Sequence, residues 1–183
     1  MRRFLVVSFL VPALTTAALA APIDDVKNAL IGFGHLTSYH MTIDAGGQHM
    51  EGDVAVPGKM HLMMGEMEMV HIGANTWMKV QGHWMQMPGG AGQGPGFTGA
   101  LSHAQTLSAH TSDVTVTDLG VKSVDGQTFH AYGVKNPGDP QPSTIYVGGD
   151  GYVHRIDSTD DKGRVSTIRF SRFNVPVAID PPQ

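Results

Sequence analysis

The run 58–87, GKMHLMMGEMEMVHIGANTWMKVQGHWMQM, constrains this chain more than any other stretch. Gly65, Gly73-Ala74-Asn75 and Gln81-Gly82 cut it into four short strand-like segments. Short apolar segments at close spacing, with Gly or Asn between them, predict an antiparallel meander. Within the segments the side chains alternate. Met60, Leu62 and Met64 oppose His61 and Met63, while Met67, Met69 and His71 oppose Glu66, Glu68, Val70 and Ile72. Trp77 and Trp84 fall in the last two strands. The run is methionine-rich, holding most of the chain's 11 methionines.

The flanking sequence extends this pattern. Residues 23–38 predict a helix, with Asp24 and Asp25 favourable at its positive end. Val26, Ala29, Leu30, Phe33 and Leu36 form its apolar stripe, and Gly32 and Gly34 weaken its second half. Strands are expected at 39–45 and 49–56, and a glycine-rich loop at 89–96. A short helix is expected at 97–109, with Leu101, Ala104 and Leu107 on one side. Further strands are expected at 113–119, 128–134, 143–147, 152–158 and 164–173. The tail is extended and ends at Pro181-Pro182. No repeat or composition break divides residues 21–183, so a single domain is expected.

Residues 1–20 have a different design. Arg2 and Arg3, the apolar stretch 4–14 and Ala18-Leu19-Ala20 form a signal peptide pattern. Export to the periplasm with cleavage after Ala20 is expected, and the apolar stretch is too short to span a bilayer. The chain has no cysteine, which excludes disulfides, thiol chemistry and an N-terminal lipid-anchor cysteine. A soluble, unanchored protein is therefore expected, and it is expected to be a monomer. The formal charge is −4, with no basic patch suited to nucleic acid or anionic headgroups.

Four stretches resemble a known family. They are Met69–Lys79 with Gly82-His83-Trp84, Val116–Gly120 with Val124–Tyr132, Ile145–Val147 with Asp150–Ile156, and Phe170–Val177. Their order, behind a leader and an amphipathic helix, resembles the periplasmic lipoprotein carriers of the LolA type and their LppX/LprG-like relatives. The resemblance implies a mainly β (α+β) fold. Its core would be a strongly curved antiparallel half-barrel, with the N-terminal helix and a helical insertion across the concave side. It also implies an apolar concavity that takes acyl chains or a lipid-modified polypeptide, handover to or from another envelope protein, and no catalytic motif. The chain departs from LppX/LprG in lacking the anchor cysteine, and from LolA in its methionine and histidine content.

Residue chemistry leaves three readings of the methionines: core filling, a deformable wall for a hydrophobic ligand, or a soft-metal site. For the ligand reading the candidates are Val26, Leu30 and Phe33 on the helix, with Met67, Met69 and Trp77 in the sheet. For copper the wider set is Met60, His61, Met63, Met64, Met67, Met69 and His71. Met67, Met69 and His71 share a face, but their cross-strand partner is not legible. A protein-interaction module on the same fold is the third class of function. Catalysis is not expected. There is no G-x-S-x-G elbow, no HExxH and no carboxylate pair set by periodicity, and the glycine-rich loop lacks a Gly-Lys-Ser/Thr ending. No cofactor is expected. The acidic turn 157–163 has Lys162 where a calcium loop needs glycine, and reads as a hairpin turn.

Overall fold

The computed structural model of the protein describes residues 21–87, 114–139 and 141–183. Helix α1 (Pro22–Gly34) leads into β1 (Ser38–Ala45), β2 (Gln48–Ala55), β3 (Lys59–Met64), β4 (Met67–Ile72), β5 (Asn75–Val80) and β6 (His83–Met87). After the undescribed segment come β7 (Thr115–Val124), β8 (Gln127–Lys135), β9 (Ser143–Val147), β10 (Val153–Thr159) and β11 (Val165–Ser171). The expected leader, glycine-rich loop and 97–109 helix lie outside the described residues.

Helix α1 starts with Pro22 in its first turn, where a missing N–H costs nothing, and with Asp24 and Asp25 beside the free amides. It stops at Gly34, short of the expected residue 38. Two glycines in the last turn lower its propensity. His35 N–H to Gly32 O and Leu36 N–H to Phe33 O then close the end with tighter bonds. Leu36, freed from the helix, is buried as the chain enters β1.

The strands form one open, curved antiparallel sheet in the order β6-β5-β4-β3-β2-β1-β11-β10-β9-β8-β7. It is a mainly β half-barrel built from two meanders, β1–β6 and β7–β11. They join where β1 pairs β11, with Met41 opposite Phe170 and Ile43 opposite Ile168. The hairpin turns at Gln81-Gly82 and Asp125-Gly126 have positive φ at both residues, which matches the twist of the strands they join. Strand β7 runs past its expected end at Leu119. A bulge between Asp118 and Gly120, with Gly120 at φ +70°, absorbs the irregularity and the strand resumes to Val124.

The core lies on the sheet face that carries α1, called here the helix face. Val26 and Ala29 belong to one buried cluster with Tyr39 and Met41 of β1, Met60 and Leu62 of β3, Tyr132 and Val134 of β8, and Ile168 and Phe170 of β11. Full burial of a side chain such as Val26 or Met41 contributes roughly 1.5–3 kcal/mol. The Phe33 ring stands 4.7 Å from Phe170 and 4.9 Å from Tyr39, which fastens α1 over the β1–β11 junction.

Candidate ligand-binding face

Strand register sorts the side chains of the methionine-rich arm, since directly paired residues share a face and alternate residues do not. One helix-face row crosses six strands: Met41, Gly52, Leu62, Met69, Met78 and Met85. The next row is Tyr39, Val54, Met60, His71, Thr76 and Met87. Met50, Met64 and Met67 belong to the same face. Among the described methionines, Met63 alone faces away, opposite Glu51 and Glu68.

Five of the six sequence-derived ligand candidates lie on the helix side. Val26 is buried, and Leu30 and Phe33 are half-buried against the core. Together they sit over the β7–β11 meander and its junction with β1. Met67 and Met69 lie in the other arm on the helix face, with Met67 42% exposed. Trp77 is a correction. It pairs Val70 and Gln86, whereas Met69 pairs Met78, so Trp77 stands on the opposite face from Met67 and Met69. The turn 73–75 sets the phase between β4 and β5, and one residue of phase inverts the face. The same register adds Met78, Met85 and Met87, which sequence reasoning left out. Met85 and Met87 keep the period-two phase of Met67 and Met69, whereas Met78 joins them only because the phase inverts across the 73–75 turn and again across Gln81-Gly82.

The opposite face is charged. Glu68 accepts from Lys79 Nζ at 3.1 Å and lies 2.8 Å from His61 Nε2, and Lys79 rests over the Trp84 ring. Lys79 first, then His61, holds the Glu68 carboxyl below its ordinary range. Asp53 bridges His40 and Arg172, each at 2.8 Å. Asp44 joins His49 and Arg169, each at 2.6 Å, and both hold its carboxyl low. Arg155 links Asp125 and Asp157. His61 is thereby removed from the copper set, since it points away from the helix-face methionines.

Helix α1 is also tied by a polar chain. Tyr132 Oη donates to Asp25 Oδ2 at 3.1 Å, and the His130 ring stacks on Tyr132 at 4.7 Å. His130 Nε2 lies 2.6 Å from Asp118 Oδ1. Burial, then the Asp25 carboxylate, pushes the Tyr132 hydroxyl up to about 12. The Gly120 amide, then His130, holds Asp118 low.

Two clefts are polar-rimmed. One of about 600 Å³ lies at the sheet end among Asp139, Ser158, Asp160 and Arg164. The other, about 300 Å³, lies among Met63, Met67, Glu68 and Lys79. Neither touches Val26, Leu30 or Phe33. Asp160 accepts from the Lys162 and Arg164 amides, making the hairpin turn expected there. Among the described residues no three His, Asp or Glu groups converge as a metal site. No described helix is long and apolar enough to cross a membrane.

No protein-family model matches the chain, and no curated protein does. Solved structures do. The lipoprotein LppX of Mycobacterium tuberculosis superposes with a TM-score of 0.64 at 16% identity, covering 87% of this chain and 98% of LppX. LprF of Mycobacterium bovis gives 0.60 at 17% identity, covering 88% and 96%. MucB, in the Pseudomonas aeruginosa MucA/MucB complex, gives 0.50 at 14% identity, and this chain spans 57% of that structure's chain. The helix, the two meanders and their junction therefore make a half-barrel with the fold of LppX and LprF, in line with the LppX-like fold that the four stretches imply.

Proposed function

We propose that this protein is a non-catalytic periplasmic carrier. It binds a lipid or a lipid-modified polypeptide between α1 and the helix face of the sheet. The observation that carries this reading is the continuous apolar row Met41–Leu62–Met69–Met78–Met85. It runs from the core beneath α1 into an arm where Met85 is 50% exposed. The opposite face, laced with ion pairs, offers an acyl chain nothing comparable. Each acyl methylene leaving water for the apolar face gains roughly 0.8 kcal/mol. Methionine suits such a wall because its unbranched side chain adapts to varied chains with little strain. The carboxylate tether Tyr132–Asp25 and the glycines at the end of α1 provide a fastening and a pivot for the helix as cargo enters. The LppX- and LprF-like fold supports the carrier reading, and the MucB structure, complexed with MucA, supports a protein donor or acceptor. Residues 1–20 are proposed to be removed on export.

The test is native mass spectrometry of the full chain purified from its envelope, followed by solvent extraction. A mass excess that passes into the organic phase as lipid is the expected result. A bare polypeptide that also fails to take up cis-parinaric acid overturns the reading.

A further inference from the structure

We propose that the helix face of β3–β6 holds one Cu(I) ion in a thioether–imidazole site made by His71, Met60, Met69 and Met78. The inference does not rest on the carrier reading, although it uses Met69 and Met78 of the same row, and it starts from register. Met60 stands directly opposite His71, and Met69 precedes His71 by two residues on the same strand and face. Met78 stands opposite Met69, on the diagonal from His71. Direct cross-strand neighbours have Cβ atoms about 4.5–5.5 Å apart and diagonal ones about 7–8 Å. The flexible methionine side chain can bring its sulfur across such gaps. Three methionines thus occupy neighbouring register positions on the same face as one imidazole. Met67, which the sequence alone suggests as a ligand, lies in the next row opposite Met64 and is displaced from the set by Met60 and Met78.

The imidazole is already oriented. His71 Nδ1 lies 2.9 Å from the Thr76 hydroxyl, and Thr76 is only 2% exposed. With Nδ1–H donating to Thr76, the ring is held and Nε2 keeps its lone pair. Among the described residues Nε2 has no hydrogen-bond partner. A hydrogen bond on the far nitrogen is the usual way a ligating histidine is fixed. The donor set selects the metal. Thioethers and imidazole suit Cu(I), while the acidic residues of β4 and β2, Glu68, Glu51 and Asp53, stand on the opposite face and cannot harden the site.

The experiment is an anaerobic titration of the full chain with Cu(I) against bathocuproine disulfonate, with copper K-edge absorption on the loaded protein. One Cu(I) withheld per chain is expected, with sulfur scatterers and one nitrogen in its shell. The volume-conserving double variant Met69→Leu/Met78→Leu should lose Cu(I) to the chelator. Thr76→Val should weaken retention roughly 10–100-fold by releasing the ring. Met63→Leu, on the opposite face, should match the parent. Wild-type protein that withholds no Cu(I), a copper shell without sulfur, or unchanged retention in the double variant overturns the proposal.

Discussion

Gly52 sits in the middle of β2, where glycine is ordinarily a weak strand residue. A Cβ there would stand 2.0 Å from the His61 carbonyl oxygen and 2.7 Å from Leu62 Cδ2. The bare backbone lets Leu62 lie across β2 in the helix-face row between Met41 and Met69. Gly52→Ala should therefore destabilise the protein by about 1–3 kcal/mol, the usual cost of overpacking. Urea denaturation should show a lowered midpoint with an unchanged slope. The sequence around Gly52, EGDV, carries no sign of this close approach, because it depends on a neighbour strand. Trp77 makes the same point from the other side. Alternation inside each strand was legible, but its phase across the 73–75 turn was not, and Trp77 was assigned to the wrong face. His71 and Met69 were correctly placed together, yet Met60 and Met78 became their neighbours only once strands were paired.

At the scale of elements, the β3–β4–β5 hairpins are held on their outer face by Glu68 between Lys79 and His61. Because these partners hold its folded pKa below the ordinary 4.5, the ionised carboxylate stabilises the fold. That contribution is fully present above the unfolded value and is lost as pH falls through the lowered folded one. Glu68→Gln should melt below the parent at neutral pH, and the gap should close on acidification below about 4.5. A melting-temperature series against pH checks it, and a gap that widens toward acid would contradict it. Most elements were legible because their signals are local: paired turn residues, period-two alternation and the stripe of α1. The ends were less so. The last turn of α1 fails because Gly32 and Gly34 outweigh the apolar spacing of Leu36. Strand β7 outlasts Leu119 because Gly120 makes a bulge where glycine usually signals a stop.

At the scale of the molecule, the order of elements made the half-barrel legible, but the pairing of β1 with β11 was not, since no local pattern joins segments so distant. That pairing has a consequence for how the protein comes into being. Within each meander every strand pairs its sequence neighbour, so each arm can assemble from short loops. The β1–β11 seam is different: its Asp44–Arg169 ion pair alone spans 125 residues of sequence. Loop-closure entropy is concentrated in that single encounter, and non-local pairing is the slow part of folding. Ile168→Val, in the seam opposite Ile43, should therefore slow refolding nearly in proportion to its loss of stability. Val134→Ala, within β8, should chiefly speed unfolding. Stopped-flow chevrons of the two variants separate the cases, and an unslowed refolding limb for Ile168→Val would refute it. Phe33 of α1 rests on Tyr39 and Phe170, one from each side of the seam. The helix therefore has no complete seat until the arms meet, and the packed core beneath it is completed in the same event that finishes the fold.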